Sequence, residues 1–255
     1  WGAWARVPIS LMAVVALVAA ILSLAAVRTV TEADDAGADV SLNPSLLDPT
    51  PVPGAGVQGV QTPIGNQNWR VKAFAQIDDR LFVGGAFLQV RDTPYGGSPT
   101  HNQSFIAAFD VDSNEWISTW TPNVDGPVWA LDVTPSGKLL VGGEFSTVNG
   151  TNREGLVALD PLSGSINPTF EARVDNAGSN FTPSVRDFDL VGNTLYVAGD
   201  FNRIVEGGDA HGVYRVGRVD ANTGDFDTGW RPMTSGGAVW DVAVDTARGK
   251  VHLAG

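Results

Sequence analysis

The segment LFVGGAF at 81–87 returns as LLVGGEF at 139–145, as LYVAGDF at 195–201 and in part as VHLAG at 251–255. A repeat of this size constrains the fold more than any single motif, because each unit must be one supersecondary element stacked on its neighbours. Aligned on that segment, a first run begins at Val71 (VKAFAQ), Val128 (VWALDV), Val185 (VRDFDL) and Val239 (VWDVAV), at intervals of 54–57 residues. A tight turn and the glycine-containing run follow. A loop of varying length then leads to FIAAFD at 105–110, GLVALD at 155–160 and VGRVD at 216–220. A further turn opens a fourth run that ends on Trp120, Phe170 or Trp230. Apolar residues alternate along these runs, Gly, Pro, Asn and Asp separate them, and no helical stripe follows residue 65. Four short antiparallel strands in about 55 residues read as one blade of a β-propeller. A parallel solenoid would repeat over fewer residues and a string of sandwiches over more. The expected fold is therefore all-β, with four-stranded blades at about 66–122, 123–183 and 184–236 and a truncated fourth at 237–255, an open arc.

Several elements recur in fixed order: the VGGxF run, the third run ending in Asp, the turn Leu162-Ser163-Gly164 and the stretch INPTF at 166–170. Together they resemble the delta-60 repeat, which belongs to a bacterial β-propeller domain of unknown function found in exported proteins. The resemblance covers 66–255. It departs at Ala198 and Ala254, which replace the first glycine, and at Trp120 and Trp230, which replace the terminal Phe. It implies a fold and an extracellular setting, but no reaction.

Ahead of the repeats, residues 7–27 (VPISLMAVVALVAAILSLAAV) carry no charge. Roughly 20 apolar residues span a bilayer, whereas the apolar part of a signal peptide is about 7–15 long. Length favours a hydrophobic anchor helix within 1–28, while Ser23-Leu24-Ala25 offers the small residues of a cleavage site, so a cleaved signal stays open. Arg6 before the run and Glu32, Asp34, Asp35 and Asp39 after it put the remainder outside the membrane. Residues 29–65 hold Pro44, Pro49, Pro51, Pro53 and Pro63 with little to bury, which reads as a disordered linker. Trp1 at the start and a strand interrupted at Gly255 lead us to expect a fragment of a longer protein.

The chemistry on offer is sparse. With 28 acids against 16 bases the net charge is −12, which repels phosphate backbones and disfavours nucleic acid as a partner. No cysteine is present, so disulfides, Cys-ligated zinc and thiol nucleophiles are excluded. GAGVQG at 54–59 fits the dinucleotide fingerprint G-x-G-x-x-G, but Pro-Val-Pro before it and Val-Gln-Thr-Pro after it supply neither the strand nor the helix that motif needs. The repeated Gly pairs have no following helix and no Lys, so they read as scaffold that lets strands approach closely or bulge. DVDSN at 110–114 begins like a calcium loop but has Glu115 where Gly is required. With Asp160 and Asp220 in the same place, it reads as a turn capped by its first carboxylate.

Two sets of residues remain. Asp132, Asp187, Asp189 and Asp241 lie on the first strands, where they would face a solvated axis; Asp187 and Asp189 are the weak metal candidates. The loops after the glycine run differ most between units, and loops on a rigid scaffold concentrate binding residues. They offer Arg91, Tyr95, His101, Asn102, Asn152, Arg153, Glu206, Asp209 and His211 for contact with a glycan or protein. No catalytic set and no cofactor motif is legible. The expected function is a non-enzymatic binding or scaffold module on the cell surface, membrane-anchored or secreted, for protein or polysaccharide. The alternative is a secreted carbohydrate-active propeller enzyme using axial carboxylates, about 5–9.5 Å apart.

Overall fold

The computed structural model of the chain describes residues 56–58, 70–91, 100–178 and 181–255. All regular structure among them is antiparallel β. Among the described residues no helix is long and apolar enough to cross a membrane, and the apolar run at 7–27 lies outside them.

The first repeat contains β1 (Gly56–Gln58), β2 (Arg70–Ile77), β3 (Arg80–Ala86), β4 (Gln89–Arg91), β5 (Thr100–Asn102) and β6 (Ile106–Asp110). The second contains β7 (Val128–Val133), β8 (Leu139–Gly143), β9 (Thr147–Val148), β10 (Thr151–Asn152) and β11 (Leu156–Leu159). The third contains β12 (Arg173–Asp175), β13 (Ser184–Val191), β14 (Thr194–Asp200), β15 (Arg203–Glu206), β16 (Asp209–Gly212) and β17 (Val216–Asp220). β18 (Asp241–Asp245) and β19 (Lys250–Ala254) follow. The main sheets are β2-β3-β6, β7-β8-β11 and β13-β14-β17, with the two-stranded β18-β19 after them. First strands pack in succession, β2 on β7, β7 on β13 and β13 on β18.

Two expectations need correction. The fourth strand of each unit is reduced to a single antiparallel bridge, Phe109 to Trp116, Leu159 to Ile166 and Val219 to Phe226. Side chains turn the chain away directly afterwards. Asn167 Oδ1 accepts from Thr169 Oγ1 at 2.7 Å, and Asp227 Oδ1 accepts from the Gly229 N–H at 2.7 Å. Such side-chain bonds to nearby groups compete with a ladder, and Pro168 has no N–H to extend one. The segments expected as loops are also ordered in part. In each unit they form a hairpin, β4-β5, β9-β10 or β15-β16. β1 and β12 add a third strand to the first and third hairpins, and Val124 bridges Val148 at the second. Gly56–Gln58 is therefore a strand where the sequence reads as linker.

The core is a series of seams between consecutive sheets. Phe82, Ile106, Trp120, Val128 and Leu139 fill the first, and Leu140, Phe170, Val185, Phe188 and Phe201 the second. The terminal aromatics dock on middle strands: Trp120 meets Phe82 edge-on at 4.9 Å, and Trp230 meets Tyr196 edge-on at 5.2 Å. The glycine run explains how the sheets come so close. A Cβ on Gly84 would sit 2.5 Å from Val128 of the next sheet, and one on Gly142 would sit 2.6 Å from Phe188. The second glycine serves its own sheet, since a Cβ on Gly143 would lie 2.2 Å from the Pro127 carbonyl oxygen.

The turn reading of the calcium-like motif also fits the structure. Asp110 Oδ1 accepts from the Ser113 N–H at 2.7 Å, Asp160 Oδ1 from Ser163 at 2.9 Å and Asp220 Oδ1 from Thr223 at 3.0 Å. Lys138 Nζ lies 2.7 Å from Asp160 Oδ2, and this bond with the turn amides holds that carboxyl well below the usual range. Asp160→Ala is expected to cost about 1–2 kcal/mol at pH 7. A depressed carboxyl stabilises above its unfolded pKa, so in thermal melts the deficit should shrink as pH falls below about 4.

Candidate functional site: the rim of bulged residues

The hairpin residues singled out from the sequence fall on three separate small sheets. In the first, Arg91 ends β4, while His101 and Asn102 lie in β5; Tyr95 is outside the described residues. Gln89 Nε2 donates to Asn102 Oδ1 at 3.0 Å, and the His101 ring lies 4.6 Å from the Trp116 ring. In the second, Asn152 is exposed at the end of β10, and the Arg153 N–H donates to the Ser146 carbonyl. In the third, His211 stacks on Phe226 at 4.5 Å, Glu206 accepts from the Phe226 N–H, and Asp209 is exposed at the hairpin turn. The two histidines thus share one job. Each presses its ring on the aromatic that bridges the third strand of its own repeat, and so fastens a hairpin to the outer segment.

The first-strand acids are engaged as well. Asp187 Oδ2 accepts from the Val242 N–H at 2.8 Å and Asp189 Oδ2 from the Val244 N–H at 2.7 Å. These amides point away from β19, so β13 caps the free edge of β18 with two carboxylates. Asp132 Oδ1 accepts from its neighbour Val133 at 2.7 Å. Asp187 also meets Asp241 in a hydrogen-bonded carboxyl pair; burial, and then that neighbour, push Asp187 up to about 7. Among the described residues no group of three or more His, Asp or Glu converges as a metal site.

A different set does converge. The first strands β2, β7 and β13 each carry a β-bulge near their start. Val71 pairs with Gly85 and Ala73 with Gly84, leaving Lys72 unpaired between them. Trp129 is set out in the same way between Val128 and Ala130, and Arg186 between Val185 and Asp187. In the fourth unit the Trp240 N–H donates to Ala254, which is also the ladder partner of Asp241. The bulges follow from the second glycine, whose missing side chain leaves room for the preceding carbonyl. Bulges re-aim a side chain, and they are enriched near functional sites.

The re-aimed side chains form a stack. The Arg186 guanidinium lies 5.7 Å from the Trp129 ring centre and 4.9 Å from that of Trp240, so three consecutive sheets contribute one layer each. Glu144, the residue after the second glycine pair, holds Arg186 with an Nη2 to Oε2 distance of 3.3 Å. Lys72 is exposed, Trp129 and Arg186 are half-buried, and Trp240 is 56% exposed. The order around the units is Lys, Trp, Arg, Trp, an alternation of cations and aromatics. Two indoles and a guanidinium on rigid strands suit stacking and cation–π recognition, and they supply no nucleophile and no general base. Reading the repeat by column exposes this set, because the position is kept in every unit while the residue changes.

Residues 134–170, a short region spanning the second sheet's turn, hairpin and outer segment, match the family model described as a "Domain of unknown function (DUF5122) beta-propeller". The match supports a β-propeller domain of unknown function. No curated protein matches the chain. Among solved structures, the crystal structure of the computationally designed Ika4 protein is similar over 77% of this chain and 98% of that one. Its identity is 13% and its TM-score 0.39, and a superposition that loose carries no argument.

Proposed function

We propose that the chain is a non-enzymatic binding module: a propeller of delta-60-type blades, three full and a fourth in part, held outside the cell by the apolar segment at 7–27. Its ligand is a protein or a polysaccharide. The observation that carries this reading is the Trp129–Arg186–Trp240 stack, three large side chains from separate repeats gathered on one rim, Trp129 and Arg186 set out by bulges. A scaffold role alone gives no reason to set an indole and a guanidinium out on bulges of successive sheets and stack them. The carbohydrate-active alternative has less behind it. Glycosidase carboxyls stand about 5–9.5 Å apart, whereas Asp187 and Asp241 touch, and Asp187 and Asp189 are spent on backbone amides.

A glycan array and a peptide array probed with the full chain test the reading. Binding should appear on one of them and fall about tenfold or more in Arg186→Ala, with the circular dichroism spectrum unchanged. Spots that survive unchanged in the variant would remove the rim from consideration. Empty arrays would favour a purely structural spacer.

A further inference from the structure

We propose that a polar cleft at the joint between the first and second repeats binds one ring of a neutral sugar. The cleft is separate from the rim of bulged residues and does not depend on it.

Its volume is about 260 Å3. Asn102, Gln103 and Ser104, at and just after the end of β5, form one wall, and residues 121–124 form the other. Both walls lie inside the array and are held by backbone bonds. Val124 bridges Val148 of the next hairpin, and the Asn123 N–H donates to Asn149 Oδ1 at 2.8 Å. The space is smaller than the roughly 300–1,000 Å3 of clefts that take drug-sized ligands, so it admits one small ring.

Gln103 fixes the chemistry. It is 5% exposed, and its Nε2 donates to the Ile106 carbonyl at 2.7 Å and to the Pro122 carbonyl at 3.2 Å. Both amide protons are thus used and the group cannot flip, which leaves Oε1 as a fixed acceptor without a donor among the described residues. Around it, the Thr121 hydroxyl and the Asn123 carboxamide have no partner, and Asn102 uses only its Oδ1, on Gln89. No charged side chain lines the cleft, so it offers an ionic ligand no counter-charge. Amides and hydroxyls that can both donate and accept match sugar hydroxyls, which do the same, and Pro122 and Val124 add an apolar part for the C–H face of a ring.

The second joint presents the same columns in a closed form. Arg153 and Glu154 replace Gln103 and Ser104 there, and Arg173 replaces Asn123. Arg173 Nε lies 3.8 Å from Glu154 Oε2, so an ion pair crosses the gap that neutral groups leave open at the first joint.

Saturation-transfer NMR of the full chain with the methyl glycosides of glucose, galactose and mannose tests the proposal. At least one should bind with a Kd on the order of 1–10 mM, as expected when few atoms are engaged. Asn123 is exposed and holds its neighbours through backbone atoms, so Asn123→Ala should keep the unaltered melting curve and weaken binding about threefold or more. The double variant Ser104→Glu/Asn123→Arg, which copies the second joint, should abolish it. No transfer from any of the three glycosides at about 50 mM would overturn the proposal, and so would equal transfer in both variants. Tighter binding of glucuronate, or of N-acetylglycinamide as a peptide-bond probe, than of every neutral glycoside would overturn it too.

Discussion

Gly199→Val is expected to destabilise the protein by roughly 3 kcal/mol or more, a large part of the ~5–15 kcal/mol that holds a typical domain folded. A Cβ at this position would lie 2.0 Å from the Ser184 carbonyl oxygen and 3.0 Å from Val185 Cα. Both are backbone atoms, so no rotamer change relieves the overlap. The bulge at Arg186 would have to open, and the Arg186 layer of the stack would move with it. Position 142 separates this effect from mere crowding. There the added Cβ meets Phe188 and Val185 side chains, and the third repeat already carries Ala198 in the same column, buried against Val239 and Val242. Gly142→Ala should therefore cost less than Gly199→Val in urea melts. If the two cost the same, the bulge is not what the second glycine protects.

Asp187 should make the third seam sensitive to pH. Its carboxyl is lifted to about 7 by burial and by Asp241, against about 3.9 in an unfolded chain. The folded protein thus binds the proton more tightly than the unfolded one. The stabilisation is fully present below about pH 4, declines as pH rises, and is gone once pH passes about 7. The difference between the two limits is on the order of 2–4 kcal/mol. Asp187→Asn mimics the protonated acid: its amide oxygen still accepts from the Val242 N–H, and its NH2 donates to Asp241. That variant should be more stable than the unaltered protein at pH 8 and flatter between pH 4 and 7. Urea melts at pH 5 and pH 8 check the sign, and a variant weakened equally at both would contradict it.

The repeat made the scaffold legible in advance. Phe87, Phe145 and Phe201 occupy one column and are all buried, and the Asp110, Asp160 and Asp220 turns close as their spacing suggests. Local rules suffice for such features, because each depends on partners a few residues away or on a strict period. The outer strand is shorter than its pattern suggests because the alternation continues past the bridge, while Asn167, Pro168 and Asp227 end the pairing through side-chain geometry. The site was harder to find. His101 and His211 look functional by residue type, yet their rings are spent on Trp116 and Phe226. Trp129, Arg186 and Trp240 are 54–57 residues apart, and only the packing of β7, β13 and β18 stacks them.

The seams are not symmetrical about themselves. Gly84 offers the hollow and Val128 of the following repeat the projection; Gly142 and Phe188, then Ala198 and Val242, repeat the relation in the same sense. Every unit therefore has a receiving side and an inserting side, a heterologous head-to-tail joint. Such polarity means a whole unit can be duplicated or deleted within the array and both new joints will still fit. Lineages carrying this joint are free to change the number of their repeats without inventing any new surface, while the bulged position in each copy varies independently.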